Sequence, residues 1–192
     1  MKKTMKRNAK SYLMELVTVT TGVLIALFLS NLKESNQARN YYKASIETIN
    51  NEIEANYSEL KGIIEKQMKF QDTLNQYRDS SILIGEIFDK SSGLQVAELS
   101  NSGLDIYKRN QISSIDFEMI STLNDMINLS DIIDAKLNRL TNFIYPNILN
   151  NSKESKLILS VHMQDVLGSE IDLMKRYKNY IDKNIDTENI EK

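Results

Sequence analysis

Residues 14–32, MELVTVTTGVLIALFLSNL, decide how this chain is read, because positions 16–29 carry no charged side chain. With Leu13 the apolar segment is about 20 residues, or about 30 Å of helix, which matches the hydrocarbon core of a bilayer. Residues 13–32 therefore read as a transmembrane anchor, and residues 33–192 as polar and helical.

The flanking charges give this anchor a direction. Lys2, Lys3, Lys6, Arg7 and Lys10 precede it, and basic residues beside a spanning segment stay in the cytoplasm. Residues 1–12 are then a cytoplasmic tail and residues 33–185 an extracytoplasmic, periplasmic domain of a bacterial inner-membrane protein, with residues 186–192 a frayed end. A secretory signal peptide has the same charge order. Its small-x-small cleavage pattern is poor here, since Ser30 has Phe28 two residues before it, and an uncleaved signal anchor is expected.

Thr18, Gly22, Ala26 and Ser30 repeat every four residues along the anchor. Such a small-residue ladder lets a second helix approach closely in lipid, which points to a homo-oligomer or a second membrane protein as partner. Chance placement of common small residues is the alternative. Glu15 is the one acid inside the apolar boundary; it lies within a turn of the membrane entry. It reads either as an interfacial carboxylate reaching water or Lys10, or as an acid shared with a partner helix.

Composition narrows the rest. One proline and six glycines among 192 residues disfavour a sandwich or barrel and favour long helices, and the absence of cysteine removes disulfide and thiol chemistry. Of 24 basic and 26 acidic residues, the first 32 positions hold five and one, leaving 19 and 25 beyond them. The net acidity of the ectodomain argues against nucleic acid as a partner.

Two blocks of sequence resemble a known family. Tyr12-x-x-Glu15, then Gly22-x-Leu24-Ile25-Ala26-Leu27 and Asn31, is similar to the anchor of a Bacteroidota family of single-pass, membrane-anchored helical proteins classed as a domain of unknown function. Leu99-x-x-x-Gly103-Leu104-Asp105 resembles that family's mid-chain segment. Together they touch about a quarter of the chain. Met14 stands where the family usually has glycine, and Leu32 where it has tryptophan. The resemblance implies architecture and location, and no activity.

Beyond the anchor, Tyr42, Ile46, Ile49, Ile53, Asn56, Leu60, Ile63, Gln67, Phe70, Leu74 and Tyr77 step by three and four. Nine of these eleven positions are apolar, so the anchor is expected to continue into one amphipathic helix to about residue 78, with coiled-coil character. Tyr57 and Ile64 widen the stripe beyond a two-helix seam. Asn56 and Gln67 interrupt it, either fixing register or facing solvent.

A short helix is expected at residues 82–88 and another at 95–101, the second closed by Gly103 in a left-handed cap, with Gly93 in a turn. The alternative makes this region a recognition loop at the membrane-distal end, carried by Gly93, Gly103, Leu104, Asp105, Tyr107 and Arg109. Ser113 and Ser114 can cap a helix buried through Met119, Leu123, Met126, Ser130, Ile133, Leu137, Leu140 and Ile144. Tyr145-Pro146 ends or kinks it. A last helix, about residues 153–183, buries Leu159, Met163, Leu167, Ile171, Met174, Tyr177 and Ile181. The fold class is all-α, an antiparallel bundle whose last two helices return toward the membrane and rise again.

Enzyme signatures are thin. The one histidine, His162, reads as a packing or surface residue, and no phosphate-cradling glycine loop, nucleophile elbow or His-Glu-x-x-His motif occurs. No catalytic residue, metal or cofactor is expected. The first reading is a non-enzymatic scaffold or accessory subunit that contacts membrane lipid through its anchor. A sensory or ligand-binding ectodomain signalling through a partner is the second, and a component of an ion-driven complex using Glu15 the third.

Overall fold

The computed structural model describes residues 2–103 and 117–185, with side chains from residue 10 onward. Four helices and no strand are present among the described residues: α1 (Lys2–Gln76), α2 (Ile84–Lys90), α3 (Phe117–Asn147) and α4 (Lys153–Asn184). The fold is all-α. α1 holds both the apolar stretch and the amphipathic stretch, and near the N-terminus it is long and apolar enough to cross a membrane.

The chain forms two compact units, Met1–Ser45 and Ile46–Lys192. In the first, every described side chain from Lys10 to Tyr41 is exposed, including Leu24 at 60% and Phe28 at 62%.

The second unit is built on the heptad face of α1. Ile49, Ile53, Asn56, Leu60, Ile63, Gln67, Phe70 and Leu74 are all buried, as the spacing predicts. α4 packs against this face in the opposite direction: Asn50 meets Tyr180, Asn56 meets Tyr177, Gln67 meets Glu170, and Tyr77 meets Lys156. α3 runs antiparallel to α4 in turn, through Glu118 with Lys183, Asp125 with Arg176, and Lys136 with Asp165. α3 therefore runs with α1. This corrects the expected order of directions, and the reason lies in the segment between them.

Residues 94–101 are extended, where a short helix is expected. They form a strap that travels back along α1, from Lys66 and Gln67 at Gln95 to Asn56 and Glu52 at Ser100. The strap makes the return passage assigned to α3. α3 starts again from the Ile46 end of the unit and α4 comes back.

Local chemistry fixes the joints. α2 begins two residues later than expected, at Ile84, and its first amides donate to the α3–α4 turn: Ile84 N to Asn150 O at 2.9 Å, Gly85 N to Ile148 O at 2.8 Å. A side chain at Gly85 would meet Ile148 O at 3.2 Å, so the close approach needs glycine. Gly93, at φ 83°, ends α2 with its N–H on Phe88 O at 2.8 Å, the left-handed cap glycine permits. Gly103 is not in that conformation. It sits in a helical turn, and its N–H donates to Glu52 Oε2 at 3.0 Å. α3 passes Pro146 and stops one residue later. Ser152 caps α4 by accepting from Ser155 N at 3.2 Å.

Candidate functional site

Of the residues singled out in the sequence, Leu104, Asp105, Tyr107 and Arg109 lie outside the described residues, as do Ser113 and Ser114. Gly93 and Gly103 are not brought together. Gly93 follows Phe88, whose ring lies 4.9 Å from Phe70, whereas Gly103 stands against Thr48, Ile49 and Glu52; about 20 helical residues, some 30 Å, separate those levels of α1. The two glycines mark the two ends of the strap rather than one loop.

On the apolar stretch of α1, Gly22 has open space around it. Thr18 Oγ1 donates to Met14 O at 2.8 Å and Ser30 Oγ to Glu34 Oε1 at 3.2 Å. These hydroxyls are satisfied within their own helix, which leaves the ladder small and smooth. Glu15 is exposed beside it.

The chemically distinctive feature is a polar seam inside the second unit, where α1, α4 and the strap meet. Asn56 is 3% exposed; its Nδ2 donates to Ser100 O at 2.7 Å and its Oδ1 accepts from Ser100 N at 3.0 Å. The carboxamide thus pairs with the strap backbone as another strand would. Nδ2 also donates to Tyr177 Oη at 3.3 Å. Burial pushes the Tyr177 hydroxyl up to about 12, with the Asn56 bond opposing and Glu52 adding to it. Glu52 holds the strap end by accepting from Ser100 Oγ at 2.5 Å and from Gly103 N. Asn101 Nδ2 reaches Ser130 Oγ of α3 at 3.0 Å.

One level along, Gln67 is wholly buried, and its Nε2 donates to Gln95 O at 3.1 Å and to Glu170 Oε1 at 3.2 Å. Glu170 is also wholly buried, and burial pushes its carboxyl up to about 7, the Gln67 bond opposing. Gln71 Nε2 donates to Ser160 Oγ at 2.5 Å. At the far end Lys156, 0% exposed, donates to Tyr77 O at 3.1 Å and Ser80 O at 2.7 Å, adding a donor to the turn after α1, where Tyr77 O also accepts from Ser80 N and Oγ. Lys153 beside exposed Asp79 holds that carboxyl below its ordinary value through a 2.6 Å bond.

Alongside the strap runs a groove of about 360 Å³ between Glu59, Gly62, Ile63 and Lys66 of α1 and Gln95, Val96 and Glu98. Among the described residues no group of three or more His, Asp or Glu side chains is placed to hold a metal. His162 is half-buried, its ring 5.5 Å from Phe143.

In the sequence Asn56 and Gln67 stand out as breaks in the heptads with their role open; in the structure neither faces solvent, and both bond the strap and α4. Sequence reasoning misses Lys156 and Glu170. Their signal is their spacing from Leu159, Met163, Val166 and Leu173, which places both on the buried face of α4. That face is centred on Val166, Leu173, Tyr177 and Tyr180, leaving Ile171, Met174 and Ile181 half-buried at its margin. The sequence matches no family model, no curated protein and no solved structure.

Proposed function

We propose that this chain is a non-enzymatic single-pass membrane protein, with residues 13–32 as an uncleaved anchor, residues 1–12 in the cytoplasm, and the bundle as an extracytoplasmic scaffold or accessory subunit. The observation that carries this reading is the uncovered apolar surface of residues 13–32, uniformly exposed along the whole segment. A soluble protein rarely leaves so large an apolar area in water, and a bilayer is the environment that accepts it on all sides. The five basic residues before it supply the orientation. The ladder from Thr18 to Ser30 supplies a face for a second helix, either of another copy or of a second membrane protein. The anchor motif around Tyr12, Glu15 and Gly22 supports kinship with the Bacteroidota family it resembles.

Gentle detergent extraction of the full-length protein from its native membrane, with mass and composition of the particle measured together, tests the proposal. A stoichiometric second protein or a homo-oligomer supports it. A protein recovered in the soluble fraction, or a bare monomer, counts against it.

A further inference from the structure

Among the buried seam oxygens with no hydrogen-bond partner in the described residues, which also include Gln71 Oε1 and Asn101 Oδ1, two stand together: Gln67 Oε1 and Glu170 Oε2. They belong to the two groups that share the 3.2 Å bond from Gln67 Nε2 to Glu170 Oε1. The amide cannot be turned round to relieve this, because Gln95 O only accepts and needs the N–H that Gln67 now gives it. Both oxygens are acceptors, so neither can serve the other as long as the carboxyl is ionised. One proton on Glu170 Oε2 resolves both at once, since an acid and an amide that share one N–H···O bond close a ring with an O–H···O bond.

We propose that Glu170 is a neutral acid paired head to head with Gln67, and that this pair is a proton-sensitive latch on the Gln95 end of the strap. When the proton leaves, the carboxylate becomes a buried charge that needs both N–H groups of Gln67. Gln67 can supply the second one only by taking it from Gln95 O. The strap then loses its backbone bond at Gln95 and keeps there only the exposed Lys66 Nζ to Gln95 Oε1 contact, while Asn56 and Glu52 still hold it at Ser100 and Gly103. The groove between Gly62 and Val96 opens at one end.

Among the described residues, no neighbouring charge substitutes for the proton. On α1, Lys66 Nζ is taken by Gln95 Oε1 at 2.7 Å and Glu59 lines the groove; on the strap, Glu98 is exposed. On α3, Lys136 Nζ is bound to Asp165 Oδ1 and Ser169 Oγ, and Asp131 and Asp134 are exposed. On α4, Asp165 and Asp172 are ion-paired and Tyr177 is held by Asn56. Burial, the dominant influence on Glu170, holds its proton up to about pH 7, against an ordinary value of 4.5.

The chain has no cysteine, so Val96→Cys with Asn75→Cys, both exposed positions, gives two unique spin-label sites on the full-length protein in detergent. The distance distribution is expected to be narrow at about pH 5 and to gain a second population by about pH 8.5. The ratio of open to closed rises with pH, by at most about tenfold per pH unit, and levels off above about pH 7. Glu170→Gln, which mimics the protonated acid, keeps the narrow distribution throughout, and His162→Asn leaves the wild-type transition in place. A wild-type distribution unchanged across that range overturns the latch whatever the variants do. So does an E170Q protein that opens like wild type, or an H162N protein that no longer opens.

Discussion

Glu170 and Lys156 are the two charged-type residues that the fold takes wholly out of water among the described residues, and each is accommodated differently. Lys156 donates to two backbone carbonyls, Tyr77 O and Ser80 O. Truncating it removes both bonds, takes this donor from Ser80 O and opens a cavity in the core, so Lys156→Ala should lower stability by about 3 kcal/mol in chemical denaturation. Glu170 binds its proton up to about pH 7 when folded, and its ordinary value is 4.5. Between those limits the folded state holds the extra proton, so stability falls as pH rises through the window and levels off above it. Against this slope Glu170→Gln should be flat, and above pH 7 it should exceed wild type by about 3 kcal/mol. Parallel pH profiles for the two proteins would contradict the assignment.

At the scale of elements, the strap decides the topology. α1, α3 and α4 are legible because their buried positions recur every three or four residues, and the periodicity of Ile49 to Leu74 is the same in sequence and structure. Residues 94–101 carry no such period. Their path is set by partners 29 to 48 positions away, Asn56 and Glu52 on α1 and Ser130 on α3. Local sequence cannot disclose that, and so it predicts α3 in the reverse direction. The candidate site is legible in part for the same reason: Asn56 and Gln67 stand out as polar breaks in an apolar register, while Glu170 and Lys156 look like ordinary surface charges. Asn56→Ala removes the pairing with the Ser100 backbone and the bond to Tyr177. It should cost about 2–3 kcal/mol, and in hydrogen exchange the amide of Ser100 should lose its protection. Protection equal to wild type would mean that the strap is held by other contacts.

At the scale of the whole molecule, the chain divides its labour between two units. Met1–Ser45 presents an apolar surface along residues 13–32, every side chain of it exposed, and Ile46–Lys192 closes a core of its own. In the proposed function, lipid and a partner helix are the complements of the first. Gly22, with open space around it, is where a large side chain would hold a second helix off. Gly22→Ile should reduce cross-linking between anchors in membranes several-fold, about 1 kcal/mol or more of lost association, and unchanged cross-linking would mean that the ladder is not an interface.

A membrane crossed by residues 13–32, with the bundle outside the cytoplasm, is the central proposal, and thiol accessibility tests it most directly. Single thiols at Asn8→Cys and Glu98→Cys are placed separately in the cysteine-free chain, and spheroplasts are treated with a membrane-impermeant maleimide. The thiol at 98 should react at once, and the one at 8 only after the membrane is opened. Reaction at 8 with protection at 98 would invert the topology, and equal reaction at both in a protein that does not sediment with membranes would contradict the anchor itself.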